Sequence, residues 1–280
     1  VSGENDEQEE ARLVAVESPV LDLIRGELAK VSVTDRRRFA ERLAIAVAGS
    51  IPWVGDLIAA TLNYKLDARK GRQDDLQTLW LEEHTRKLSE LMRDVQAIAA
   101  RIEGLGSQID ERLQSESFLA LARRAFRAWD RADTAEKRGY AGNLLCHAAA
   151  PRHAADDILR TFVDWLDLYS EAHFAVMKQL AERPGSTRLD IWRAIYGDPT
   201  RDDSAGADLF RLLVRDLSVG GVIRQERATT ETGAFVRRRA GPPRATLESA
   251  FEDTKRYCLT ALGADFVRYA MEPPSPSPSP

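Results

Sequence analysis

A seven-residue repeat constrains this chain more than any other feature. Leu81, Leu88, Val95, Ile102 and Ile109 recur at one heptad position, and His84, Leu91, Ile98, Leu105 and Arg112 follow them by three residues. An apolar seam of this period is what a helix needs to pack lengthwise against another helix. The spacing predicts a long helix over about 61–113. Leu81, His84, Leu88, Leu91, Val95, Ile98, Ile102, Leu105 and Ile109 are its candidate self-association seam, unless the chain's own helices cover it. His84 and Arg112 stand at the two ends, so only the middle of the seam is dry. Gly104 and Gly106 sit beside it, and each costs about 1 kcal/mol relative to alanine inside a helix. A kink or break is expected there.

The run preceding this helix, LAIAVAGSIPWVGDLIAATL at 43–62, carries a single charge, Asp56. Its length approaches the roughly 20 residues that span a bilayer. Pro52 removes a helix hydrogen bond and clashes with the turn before it, so two short apolar helices with a turn near Gly49–Gly55 are expected. Arg36, Arg37, Arg38 and Arg42 precede the run, and Lys65, Arg69, Lys70 and Arg72 follow it. A hairpin entering a membrane from the cytoplasmic side would carry such flanks. The competing reading, favoured because cores hold many short apolar runs, is a buried hairpin with Trp53 at its tip. On the membrane reading the contact residues are Ile51, Pro52, Trp53, Val54, Leu57 and Ile58.

Composition narrows the function classes. The net charge is −4, with 44% hydrophobic and 30% charged residues, so no global basic excess points to nucleic acid. Cys146 and Cys258 are the two cysteines, which leaves no disulfide framework and no paired-cysteine zinc site, and fits a reducing cytoplasm. Residues 1–11 are acidic and polar, lack a secretory pattern and are expected to be disordered, as is the Pro/Ser tail at 272–280.

Helical periodicity continues beyond the seam. Phe118 to Trp129 has an apolar face, and Asp133 with Glu136 has capping-box spacing before a helix carrying Tyr140, Leu144 and Leu145. Further helices are expected over Asp156–Leu168 and Glu171–Ala181, the second capped by Ser170. Thr187 or Ser186 opens another, stopped at Gly197-Asp-Pro199, and Asp203 or Ser204 opens the next, closed at Gly220-Gly221. Val222–Gln225 and Phe235–Arg237 read as a hairpin, Leu247–Phe251 as helical, and a strand from Tyr257 leads into a closing helix. The fold class is therefore mainly α: a helical domain over 12–165, then a second domain over 166–271 with a small β-hairpin.

Three short helices, a hairpin, and a strand entering the phrase Leu259-Thr260-Ala261-Leu262-Gly263-Ala264-Asp265-Phe266 resemble a winged-helix module. The resemblance covers roughly residues 166–271 and implies a nucleic-acid site on the helix Ala205–Leu217. This helix departs from that expectation, since Asp208 and Asp216 offset Arg211 and Arg215, and phosphate binding needs excess basic charge. Arginines gather in the wing instead. The candidate nucleic-acid contacts are Arg211, Arg215, Arg224, Arg227, Arg237, Arg238 and Arg239, with Arg244 nearby. A second resemblance joins the Ile-Pro-x-Val-Gly hairpin at Ile51–Gly55, the long helix, Thr134-Ala-Glu-Lys137 before Asn143-Leu-Leu, and the closing winged helix. It is to bacterial helical proteins of the abortive-infection alpha type, and it implies a role in phage defence with no catalytic residues.

No Gly-rich phosphate loop, His-Glu-x-x-His or Gly-x-Ser-x-Gly occurs. The adjacent Cys146 and His147 point about 100° apart on a helix, a poor geometry for one metal. Neither a catalytic residue, a cofactor, a metal nor a small-molecule substrate is expected. The leading expectation is a non-enzymatic scaffold or effector, cytoplasmic or peripheral at the inner face of the membrane. It would act through a protein partner or a second copy of itself, with membrane contact through the hairpin. The alternative is a DNA-binding regulator using the winged helix.

Overall fold

The computed structural model describes residues 36–57, 59–60, 75–105, 109–151, 153–226 and 249–273. The expectations for the acidic N-terminus, Ile58, the basic flank after the hairpin, the strand at 235–237, Arg227, Arg237, Arg238, Arg239 and the Pro/Ser tail lie outside these residues. The protein is mainly helical with one small antiparallel sheet. Its described residues divide into two compact units, on either side of the boundary between Asp167 and Leu168.

In the first unit, α1 (Arg36–Ala48) leads through a turn at Gly49 and Ser50 into a short helical segment, 52–57. Next come α2 (Asp75–Glu103), α3 (Asp110–Gln114), α4 (Glu116–Arg131), α5 (Ala135–Ala149) and α6 (Asp156–Leu168). The apolar stripe of α2 packs against α1 and α5, and α4 packs against the same two helices, so the core lies between them. Leu43, Val47, Leu91, Val95, Ile102, Phe118, Phe126, Leu144 and Leu145 are all within 1% of full burial there. Burying a side chain of this size contributes roughly 1.5–3 kcal/mol.

The heptad helix does not run unbroken to residue 113. It stops at Glu103, and the next N–H groups, of Gly104 and Leu105, bond back to Ala100 and Ile102 as a closing turn. The helix ends where the sequence placed a break, just before Gly104, a residue that costs about 1 kcal/mol relative to alanine inside a helix, and α3 is a separate short element. Ser115 starts α4 by accepting the Phe118 N–H at 3.2 Å. Thr134 does the same for α5 from Lys137. The cap is thus one residue later than the Asp133/Glu136 spacing predicts, and Glu136 instead accepts the Tyr140 hydroxyl at 2.6 Å.

Arg112, a charged residue at a seam position, is explained by what it ties together. Its guanidinium donates to Asp156 at the start of α6 (2.5 Å), to the Ser117 hydroxyl (2.9 Å) and to the Ala148 carbonyl at the end of α5 (3.3 Å). It also lies 5.7 Å from the Phe118 ring centroid. The guanidinium beside Asp156 holds that carboxyl below its ordinary range.

The second unit contains α7 (Glu171–Glu182), β1 (Ser186–Thr187), α8 (Arg188–Tyr196), α9 (Ala205–Val219), β2 (Ile223–Gln225), β3 (Arg256–Leu259), α10 (Ala261–Phe266) and a π-helical turn, Val267–Met271. The sheet order is β1-β3-β2, both pairs antiparallel, with Ser186 opposite Tyr257 and Arg224 opposite Cys258. β2 therefore pairs with the strand that enters the closing helix. Residues 250 and 251, expected as helix, form a turn. Ser170, Thr187, Ser204 and Thr260 occupy the N-cap positions of α7, α8, α9 and α10.

The phrase Leu259–Phe266 has a physical basis. Thr260 ends β3 by donating its N–H to Val222 and its hydroxyl to Gly221, and its oxygen accepts the Gly263 N–H at 2.9 Å. Gly263 faces the Val222 carbonyl so closely that a Cβ would overlap it. Phe266 is fully buried and stacks on Phe174 of α7, centroids 6.1 Å apart.

Candidate interaction site

The seam of α2 is covered by its own chain. Leu88, Leu91, Val95, Ile98 and Ile102 are at most 5% exposed, and Ile109 is buried too, whereas Leu81, His84 and Leu105 are half-buried at the margins. These apolar faces are already packed, so they do not offer a second copy a surface. His84 is held within its own helix. Its ring stacks on Trp80 with centroids 4.0 Å apart, and its Nδ1–H donates to the Trp80 carbonyl at 2.8 Å.

The apolar hairpin is likewise turned inward. Ile51, Val54 and Leu57 are at most 2% exposed, while Pro52 is exposed and Trp53 half-buried. The Trp53 indole N–H donates to Asp130 of α4 at 2.7 Å. Lys87 of α2 pairs with the same carboxylate at 2.7 Å and lies 4.9 Å from the Trp53 ring centroid. Trp129 makes a parallel link, donating to Asp94 at 2.7 Å beneath the Arg138 guanidinium. Among the described residues no helix is long and apolar enough to cross a membrane.

In the second unit, α9 is apolar on two sides. Phe210, Leu213, Val214 and Leu217 are at most 2% exposed. At about 100° per residue, Leu209, Leu212 and Val219 fall roughly 130° away from that buried face. They are 51%, 48% and 82% exposed. The wheel spacing of these three residues is the sequence signal that separates the outer stripe from the buried one.

The candidate nucleic-acid contacts on this helix divide. Arg211 is held on its own chain, with Nη1 on Asp208 and Nη2 on Asp202, both at 2.7 Å. Arg215 is exposed and, with Arg224 of β2, lines a groove that sequence reasoning did not anticipate. The groove is about 490 Å³, and Arg188, Ser218, Val219, Ile223, Gln225 and Tyr257 complete its lining. Arg188 comes from the first turn of α8. Its guanidinium lies 5.5 Å from the Tyr257 ring centroid, and its Nη1 donates to the Ser249 carbonyl at 3.4 Å. Three arginines line this groove, and none of its lining residues among those described is acidic.

Other polar clusters have structural explanations. His173 Nδ1 faces both the Ser170 hydroxyl (2.8 Å) and the Ser170 N–H (3.2 Å), closing the capping box of α7, with Nε2 3.9 Å from Asp216. Burial, and secondarily the Asp216 charge, pushes the neighbouring Tyr169 hydroxyl up in pKa. Asp190 is held below its ordinary range by the N–H and hydroxyl of Thr187, in the capping box of α8. Burial pushes the Cys146 thiol up to about 11, so it is protonated at neutral pH. Among the described residues no three His, Cys, Asp or Glu side chains converge as metal ligands.

Comparison with protein-family models, with curated proteins and with solved structures finds no match.

Proposed function

We propose that this chain is a non-enzymatic helical scaffold whose second unit docks a partner protein through the outward face of α9. The observation carrying this reading is the exposed stripe Leu209, Leu212 and Val219 on a helix whose opposite face already forms the core. Apolar side chains gain by leaving water and contribute nothing to phosphate binding, so a stripe of them suits a protein surface. The element order of the second unit resembles a winged helix used for protein contact. The resemblance to abortive-infection helical proteins suggests a cytoplasmic effector in phage defence. The first unit is then a helical support, since the middle of the seam (Leu88 to Ile102) and Ile51, Val54 and Leu57 of the hairpin are packed into its core.

A benzophenone amino acid placed at Leu212 of the full chain tests the docking face in cells. Ultraviolet light should give a discrete protein adduct there, and none from the same label at exposed Arg127 of α4. Equal labelling at both positions, or no adduct, would reject the face.

The second reading is nucleic-acid binding, favoured by the arginines at 188, 215 and 224 around one groove. It requires duplex affinity that falls steeply with salt and with loss of Arg215 and Arg224.

A further inference from the structure

The outward face of α9 carries its own complement. We infer that the partner it receives is a second copy of this chain, the two α9 helices lying parallel about a two-fold axis. This rests on the docking reading above and names what docks.

Leu212 and Val219 form the centre of the face. At about 100° per residue, Val219 lies about 20° from Leu212, Arg215 about 60° to one side and Asp216 about 40° to the other. Leu209 falls on the Asp216 side. The apolar ridge is therefore flanked by one cation and one anion, adjacent in sequence. Arg215 is exposed and makes no ion pair among the described residues. Asp208 is paired by Arg211, but Asp216, its side chain 42% exposed, has only His173 in ion-pair range, with Nε2 at 3.9 Å. Because His173 Nδ1 accepts the Ser170 N–H, its ring is neutral in the capping box and leaves the Asp216 charge standing.

A two-fold axis parallel to the helices brings opposite flanks together. Arg215 of each copy then meets Asp216 of the other, while Leu212 and Val219 pack on their own equivalents. One ridge and one pair of charges thus become two ion pairs around an apolar centre, and such pairs set partner choice and orientation. An antiparallel pair sets like flank against like flank and leaves both Asp216 side chains without a cation. A polynucleotide would leave the ridge in water, and a neutral apolar segment would pair neither Arg215 nor Asp216. The 15 residues of α9 span about 22 Å, so the contact falls well below the roughly 800 Å² per partner of a standard interface. A reversible dimer that assembles in the tens of micromolar is expected.

Sedimentation velocity of the full chain between about 1 and 200 µM reads the assembly. The native chain should pass from monomer to dimer across that range, and Leu212→Ser/Val219→Ser should stay monomeric. Arg215→Glu and Asp216→Lys should each weaken the dimer roughly tenfold or more, because each sets like charges together. Mixing these two variants in equal amounts should restore the dimer, since the carboxylates of one then face the cations of the other. Circular dichroism confirms that each variant folds, and recovery on mixing excludes a folding defect. A native chain still monomeric at about 200 µM, a dimer indifferent to these substitutions, or a mixture that does not recover overturns the self-association. In that case an adduct at Leu212 of a mass other than twice the chain leaves the docking face standing with a different partner. A monomeric chain with no adduct at Leu212 removes both.

Discussion

Replacing Arg112 by methionine should unfasten the first unit at one point. Methionine keeps much of the aliphatic stem that packs near Phe118 but removes the donors to Asp156, Ser117 and Ala148. Hydrogen bonds to charged groups contribute about 1.5–3 kcal/mol each, and partners left without one keep their desolvation cost. The Arg112 and Asp156 side chains are 15% and 32% exposed, so water screens part of this. The expected loss is about 2–3 kcal/mol. With a urea slope of about 2 kcal/mol per molar, the midpoint should fall by roughly 1 M or more. Tryptophan fluorescence follows the relevant transition, because Trp53, Trp80, Trp129 and Trp165 all lie in the first unit. Crossing the variant with Asp156→Asn should give a coupling of about 1–2 kcal/mol. The pH dependence has a definite sign. Asp156 has a depressed folded pKa, so its contribution is present above the unfolded value and is lost as pH falls through the folded one. The native chain should therefore lose more stability than Arg112→Met on acidification below about pH 4. A midpoint within about 0.2 M of native, with unchanged acid sensitivity, would refute the assignment of Arg112 as the tie between α3, α5 and α6.

Three further outcomes follow from the packing. Leu91→Ala should cost about 2–5 kcal/mol by thermal or urea unfolding and leave the molar mass by light scattering unchanged, because Leu91 is fully buried within its own chain. Gly263→Ala should destabilise the second unit by about 1–3 kcal/mol or more, read from Trp192 fluorescence, since the new methyl overlaps the Val222 backbone. Thr134→Ala should remove the N-cap of α5 and cost about 1 kcal/mol, while Asp133→Ala should change the urea midpoint little.

Periodicity made the helices legible, and caps made their starts legible. The helix Asp156–Leu168 and the Ser170 cap both follow from local pattern, because the apolar stripe and the orphan N–H groups are local demands. Long-range partners were not legible. Nothing in the neighbourhood of Trp53 names Asp130, 77 residues away, as the acceptor of its indole N–H. Whether the α2 seam met its own chain or another copy depended on α1 and α5, whose positions a heptad repeat does not encode. The strand β1 escaped notice because it is two residues long and exists only through pairing with β3. The arginine groove escaped for the same reason. Arg188, Arg215 and Arg224 come from three elements, and Arg188 stood in a helix start with no basic cluster to single it out.

The two-sided character of α9 has an evolutionary consequence. Its inner residues are locked to the fold, where a change of one methyl group is felt throughout the unit. Leu209, Leu212 and Val219 point the other way and can be exchanged at little thermal penalty. Substitution on the outer stripe can then change what this face presents without first passing through a less stable protein. Surface drift alone could alter the outer stripe while keeping the same scaffold beneath it.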